Sequence, residues 1–149
     1  MKKLVCVALL VVLSGCVTVK IPKYLPSENA YKKKFFLPFD DVLVAAKQAL
    51  IDTGWQINDM ASPSIFEQEA STQTQGKQIL IFTETRQTPL ILLSRYKSIN
   101  VYLRSVDDGT EVEIRYMGMT QILFINSKNY KNDDVVNKVY DHMAQLLES

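Results

Sequence analysis

The sequence is poor in the residues that most often carry chemistry. Among its 149 residues, two are cysteines and one is a histidine. Both cysteines, Cys6 and Cys16, lie at the start of the chain, so the rest can form no disulfide, thiol nucleophile or cysteine-based metal site. A fold built from the remainder must therefore be stabilised by packing alone.

The glycine content and the net charge of the chain are low as well. The five glycines form neither a G-x-G-x-x-G nor a Walker pattern, which argues against a nucleotide site. The formal net charge is only +1, whereas nucleic-acid binding would require a strongly basic face. We therefore expect no nucleic-acid partner.

The histidine, His142, is the one conventional candidate for a general base. Asp141 is adjacent to it, but neighbouring side chains of a helix diverge, so we expect Asp133, Asp134 and Lys138 to lie closer. A surface histidine is the favoured interpretation, although a Ser-His-Asp arrangement is recognised only by geometry. No catalytic residue is predicted.

Metal ligands are equally scarce. The acidic pairs Asp40-Asp41 and Asp133-Asp134 lack the alternating spacing of a calcium loop, and both fall where a helix start favours negative charge. The sequence therefore predicts no metal site and no metal cofactor.

Long apolar runs are absent too. Leu4–Leu13 follows a basic start, Met1-Lys2-Lys3, and is about half of the ~20 residues that a membrane-spanning helix needs. A basic start followed by an apolar run of this length is typical of a signal peptide. The alternatives are a spanning helix or a buried core segment.

The next residues, Leu13-Ser14-Gly15-Cys16, resemble the lipobox of bacterial lipoproteins. The resemblance implies that residues 1–15 are a cleaved signal peptide and that Cys16 carries a covalent diacylglycerol and an N-acyl lipid, with no other cofactor. Val17 stands where many enteric inner-membrane lipoproteins have aspartate. The resemblance therefore implies an outer-membrane protein anchored by lipid and facing the periplasm; a plain secreted protein is the alternative.

Residues 16–34 are predicted to form the lipidated N-terminus and a flexible tether. Pro22 and Pro26 disfavour regular structure, and lysines outnumber the single acidic residue, Glu28. These lysines either contact anionic headgroups or keep the linker solvated, and we favour the second interpretation.

Residues 35–149 are predicted to form one α+β domain. Helical spacing predicts a helix that starts at Asp40 or Asp41 and is capped by Gly54, and a second helix capped by Asn132. Strands are predicted between them at Trp55–Asn58, Ile65–Thr72, Gln78–Thr83 and Lys97–Val106, followed by a return strand after the turn Asp107-Asp108-Gly109-Thr110. The expected architecture is a two-layer sandwich with an antiparallel sheet of about four to five strands and both helices on one face.

The pattern of this domain resembles small envelope lipoproteins with a helix-grip domain, such as domains of the C-subunit lipoprotein of the outer-membrane β-barrel assembly machine. The matching segments are Phe39-Asp40-Asp41-Val42, Gly54-Trp55-x-Ile57 and Gly109-Thr110-Glu111-Val112-x-Ile114. The resemblance implies a non-catalytic binding or accessory module and assigns no binding residue.

Two apolar runs fall outside the alternating pattern. As buried strands they would complete the core, whereas exposed they would form a patch of the kind that marks a partner site. The candidate partner surface consists of Leu90, Ile91, Leu92, Leu93, Ile122, Leu123, Phe124 and Ile125.

Taken together, these features predict a lipid-anchored envelope lipoprotein that acts as a non-catalytic adaptor or accessory subunit of an assembly machine or secretion system. Its expected partners are the membrane, through the lipid, and other envelope proteins. The alternatives are a carrier of an apolar ligand and an enzyme acting on cell wall or lipid.

Overall fold

The computed structural model describes residues 21–66, 76–90, 93–122 and 125–148. The chain is α+β in the order helix, strands, helix, as predicted. Two short 3-10 turns are present at Ser27–Asn29 and Pro63–Ile65. The main elements are β1 (Tyr31–Phe35), α1 (Phe39–Asp52), β2 (Ile57–Ala61), β3 (Gln78–Thr83), β4 (Arg86–Leu90), β5 (Leu93–Val106), β6 (Gly109–Ile122), β7 (Ile125–Asn129) and α2 (Asp133–Glu148).

The seven strands form one antiparallel sheet. Its main path runs β1-β6-β5-β3-β2, while β4 pairs with β5 and β7 pairs with β6 off that path. The sheet therefore has more strands than the four to five predicted. The difference arises because β5 and β6, besides pairing with each other, are each long enough to pair with two further strands, one along either half.

The β5–β6 hairpin is the longest feature of the fold. Each strand has 14 residues, and the predicted turn is confirmed by the pairing of Val106 with Gly109. At about 3.3 Å per residue the hairpin is roughly 45 Å long. We call its end at Val106 and Gly109 the turn end, and its opposite end, where Leu93 pairs with Ile122, the far end.

Both helices pack on one face of the sheet, as predicted. The core beneath them includes Ile99, Val101 and Leu103 of β5, whose side chains are fully buried. The described part of β5 before Ile99 contributes nothing to this core. Helices α1 and α2 therefore cover the half of the hairpin near the turn end, and neither extends over the far end.

The start of α1 differs from the prediction. Neither Asp40 nor Asp41 caps α1; the helix begins at Phe39 after Pro38, whose carbonyl accepts the Val42 N–H at 3.2 Å. Because the helix starts earlier than predicted, both aspartates lie in its first turn, where their charge still favours the exposed amides.

The predicted glycine cap and asparagine cap are both confirmed. Gly54 has φ +84°, and the Gly54 and Trp55 amides donate to the carbonyls of Ile51 and Leu50 at 2.8 and 2.7 Å, which is a Schellman arrangement. At α2, Asn132 Oδ1 accepts the Val135 N–H at 3.1 Å.

The described part of the predicted tether belongs to the fold instead. Residues 31–34 are in β1, which pairs with β6. Residues 21–30, which we call the N-terminal strap, cross the sheet face opposite the helices, and Leu25 is only 1% exposed. The prediction failed because this face carries apolar side chains, among them Leu80 and Phe82, that need cover even from a segment without regular structure.

The strand predicted at Ile65–Thr72 is not seen at its start, since Ile65 belongs to a 3-10 turn. Residues 67–75 lie outside the described part of the chain. The strand predicted at Trp55–Asn58 is shifted towards the C-terminus, because Trp55 is taken up by the helix cap.

Candidate docking surfaces

An apolar row closes the far end of the sheet. The backbone register aligns Leu90, Leu93, Ile122 and Ile125 across β4, β5, β6 and β7. The side chain of Ile122 is 49% exposed and that of Ile125 is 74% exposed, while Leu93 is half-buried. These four positions are the first and last residues of the two apolar runs, so the ends of the runs lie side by side at the strand ends, and those of the second run face solvent.

The inner residues of the two runs are Ile91, Leu92, Leu123 and Phe124, and they lie outside the described residues. The structure nevertheless brings the two runs together, because Leu93 of the first pairs directly with Ile122 of the second. Their sequence separation gave no indication of this proximity.

Positive charge surrounds this row. Neither of the two stretches that build the far end, 86–97 and 118–131, contains an aspartate or glutamate. Apart from Arg86, their exposed cations are Arg95, Lys97, Lys128 and Lys131, and none of these four forms an ion pair with a described residue.

Arg86, at the start of β4, has a structural partner. Its guanidinium lies 3.8 Å from the centroid of the Trp55 ring and donates to the Thr53 carbonyl at 3.0 Å. A cation at this place satisfies a carbonyl at the C-terminal end of α1. Arg86 therefore joins β4 to the helix layer, and we do not count it among the exposed cations that surround the apolar row.

A second exposed apolar surface lies near the turn end. Between α1 and α2 an open groove of about 440 Å³ is lined mainly by Leu37, Val44, Leu146 and Leu147. Val44 is 67% exposed, and the nearby Phe36 is 73% exposed. Sequence reasoning missed this surface, although Val44 falls beside the apolar stripe of α1 and could have been noticed for that reason.

His142 has a partner that the sequence did not indicate. Its Nε2 lies 2.8 Å from Asp52 Oδ2 at the end of α1, rather than against the acidic residues of its own helix. The pair borders a shallow polar groove whose lining includes one hydroxyl, that of Thr53, and this hydroxyl donates to the Ala49 carbonyl at 2.6 Å. The arrangement joins the two helices and presents no aligned nucleophile.

The contact between His142 and Asp52 predicts how the stability of the fold depends on pH. Hydrogen bonds from His142 and then Gln48 hold the pKa of Asp52 below its ordinary value of 3.8. A lowered carboxyl pKa contributes stability that is present above the unfolded-state pKa and is lost as the pH falls through the folded-state value. We expect wild type to unfold at higher urea concentration than Asp52→Asn at pH 6 and the difference between the two midpoints to shrink as the pH falls below 3.8; a constant difference would contradict this assignment.

A buried ion pair lies beneath the N-terminal strap. Arg115, 2% exposed, donates from Nε to Glu113 Oε1 at 2.6 Å and from Nη1 to the Leu25 carbonyl at 3.0 Å. Glu113 and Arg115 alternate with the core residues Val112 and Ile114 and therefore lie on the face opposite the helices. Their burial was not predicted, because it depends on a strap that is distant in sequence.

Other functional features are few within the described ranges. No three His, Cys, Asp or Glu side chains there come close enough to hold a metal ion. Nor is any helix among those residues long and apolar enough to cross a membrane. Cys16, the predicted lipidation residue, lies outside them. No family model matches the sequence, and no curated protein matches it either.

Proposed function

We propose that this protein is a lipoprotein held at the outer membrane by lipid on Cys16, facing the periplasm, and that it acts as a non-catalytic adaptor or accessory subunit of an envelope complex. Such a complex would be an assembly machine or a secretion system. The lipobox-like segment supports the anchor, and the two exposed apolar surfaces at opposite ends of the fold support the adaptor role.

The separation of the two surfaces is the observation on which the adaptor role depends. One surface is the groove beside Val44 near the turn end, and the other is the row ending at Ile125 at the far end. They lie near opposite ends of a hairpin roughly 45 Å long. Contiguous apolar patches are uncommon on monomeric soluble proteins and mark interaction sites, so two of them suit a protein that contacts two components at once.

The alternative functions find less support. A carrier of an apolar ligand needs an enclosed apolar cavity, whereas the grooves described above open to solvent and core residues such as Phe82, Met117 and Met143 are fully buried. An enzyme acting on cell wall or lipid needs a positioned base and nucleophile, and the His142–Asp52 pair lacks the second.

Photo-crosslinking in the native envelope tests the proposal. A photoreactive residue at Val44 in the full-length chain should give a discrete protein adduct, because this position lies in the exposed groove. The same residue at Asn58, which is exposed on β2, is the matched control and should give none. Mass spectrometry of the adduct identifies the partner.

The anchor is tested in the same experiment. Replacement of Cys16 by alanine should leave the chain unprocessed or remove it from the outer-membrane fraction, and the Val44 adduct should be lost with it. The proposal is contradicted if Val44 gives no adduct above the Asn58 background, or if Cys16→Ala changes neither processing nor fractionation.

A further inference from the structure

We infer that the far end of the sheet docks onto an anionic lipid surface. The inference assigns an occupant to one of the two apolar surfaces and rests on the proposed function for the lipid anchor. The protein-binding groove beside Val44 would then face away from the membrane. Three observations carry the inference: the apolar row, the distribution of charge around it, and the short length of chain before the fold begins.

The apolar row lies where a flat surface can reach it. Ile122 and Ile125 are at the extremity of β6 and β7, and both are largely exposed. The core that the helices cover begins at Ile99, about 20 Å further along β5 from Leu93. Because neither α1 nor α2 reaches the far end, the helix layer does not stand between the row and a planar partner.

The charge around the row favours lipid over a protein partner. Arg95 and Lys97 alternate with Leu93 and therefore share its face of the sheet, whereas Lys128 is three residues from Ile125 and lies on the other face. A protein docked on one face would be contacted by the cations of that face only. An edge inserted among headgroups is surrounded by phosphates, so cations on both faces find partners.

The opposite end of the molecule carries charges of both signs. Asp41 and Asp107 are exposed near the turn end, beside the ion pairs Lys34–Asp108 and Lys77–Asp40, whereas the stretches that build the far end contain no acidic residue. An anionic surface would therefore attract the far end more strongly than the turn end, which orients the molecule.

The length of chain before the fold is consistent with this orientation. Only Val17 to Lys20 separate Cys16 from Ile21, and the five steps between Cys16 and Ile21 span at most about 18 Å. The strap is then held to β5, where the Lys23 carbonyl accepts the Asn100 Nδ2 hydrogen bond at 3.1 Å. Leu93 lies about 23 Å from Asn100 along the strand. A lipid on Cys16 would thus keep the fold close enough for the far end to meet the same bilayer.

A single environment-sensitive fluorophore tests the docking. The chain after Cys16 contains no other cysteine, so Ile125→Cys provides one labelling site in the lipidated full-length protein. On phosphatidylcholine vesicles that contain phosphatidylglycerol, the label should shift to shorter wavelength and be reached by quenchers within the bilayer. The matched control is Val44→Cys, which is similarly exposed and should show neither effect.

A second test of the docking reverses the charge of two lysines at the far end. Lys97→Glu combined with Lys128→Glu changes two exposed residues and should leave the fold intact. Each lysine near an anionic surface contributes about fivefold to binding, so the ratio of docked to undocked protein should fall by about 25-fold or more, and high salt should have a similar effect.

Three results would overturn the inference: no shift at Ile125, an equal shift with and without phosphatidylglycerol, or a shift that appears only when envelope proteins are added. The last result would assign the far end to a protein partner instead. Failure of the docking inference leaves the Val44 crosslink unaffected, so it is distinguishable from failure of the proposed adaptor function.

Discussion

Replacing Gly109 by alanine is expected to destabilise the protein by about 3–5 kcal/mol, or to prevent folding altogether. Gly109 begins β6 with φ +154°, a conformation that side-chain-bearing residues rarely adopt. An added Cβ would overlap the Phe35 carbonyl oxygen and lie 3.0 Å from the Phe36 Cα. Both are backbone atoms at the end of β1, so no side-chain rotation can relieve the overlap.

The consequence extends beyond the turn. Phe35 pairs with Thr110, and displacing it would disrupt the alignment of β1 with β6. Gly76→Ala is the matched control, since its Cβ would lie 3.3 Å from the Ser105 Cβ, where a small adjustment is enough. Urea unfolding followed by circular dichroism should give a near-native midpoint for Gly76→Ala; a near-native midpoint for Gly109→Ala would contradict the clash argument.

Replacing Glu113 by leucine is expected to cost about 3–5 kcal/mol. The change leaves the Arg115 guanidinium buried beneath the strap without its carboxylate. The Leu25 carbonyl and the Tyr24 and Tyr102 rings that it also contacts carry no compensating negative charge. Lys32 approaches the same carboxylate at 3.5 Å, but its exposed side chain can turn to solvent when the carboxylate is removed.

The double variant Glu113→Leu/Arg115→Met distinguishes the loss of the ion pair from the cost of leaving one buried charge without its partner. Removing both charges should recover most of the stability, because apolar residues of similar volume replace a buried ion pair at little cost. Glu111→Leu is the matched control on the same strand, since its pair with Arg104 is partly exposed and contributes at most about 1 kcal/mol. If the double variant were as unstable as Glu113→Leu, the loss would reflect disruption of the strap rather than an unpaired charge.

Features that depend on neighbouring residues were predictable from the sequence. The Schellman cap at Gly54 follows from the conformational freedom of glycine, and the cap at Asn132 follows from its side-chain oxygen. The two-residue turn before Gly109 was predictable on the same grounds. In each case the interacting groups lie within a few positions of one another.

Whether the two apolar runs are buried or exposed could not be predicted from neighbouring residues. Their composition identified them as unusual, but composition is the same for a buried strand and for an exposed strand end. The pairing of Leu93 with Ile122 aligned the ends of the runs in one row. Neither α1 nor α2 extends over that half of β5, and Ile122 and Ile125 are exposed. The candidate far-end surface thus required the register of four strands.

The sequence by itself determined the two helices, the central hairpin and the lipoprotein-like start of the chain, because periodicity, turn chemistry and short motifs act over a few residues. Only the tertiary structure decided that the strap covers the second sheet face and that Arg115 and Glu113 are buried there. It also decided that His142 meets Asp52 and that two apolar surfaces lie at opposite ends. These outcomes depend on which distant segments pack together, and burial is a property of that packing rather than of any residue or its neighbours in the chain.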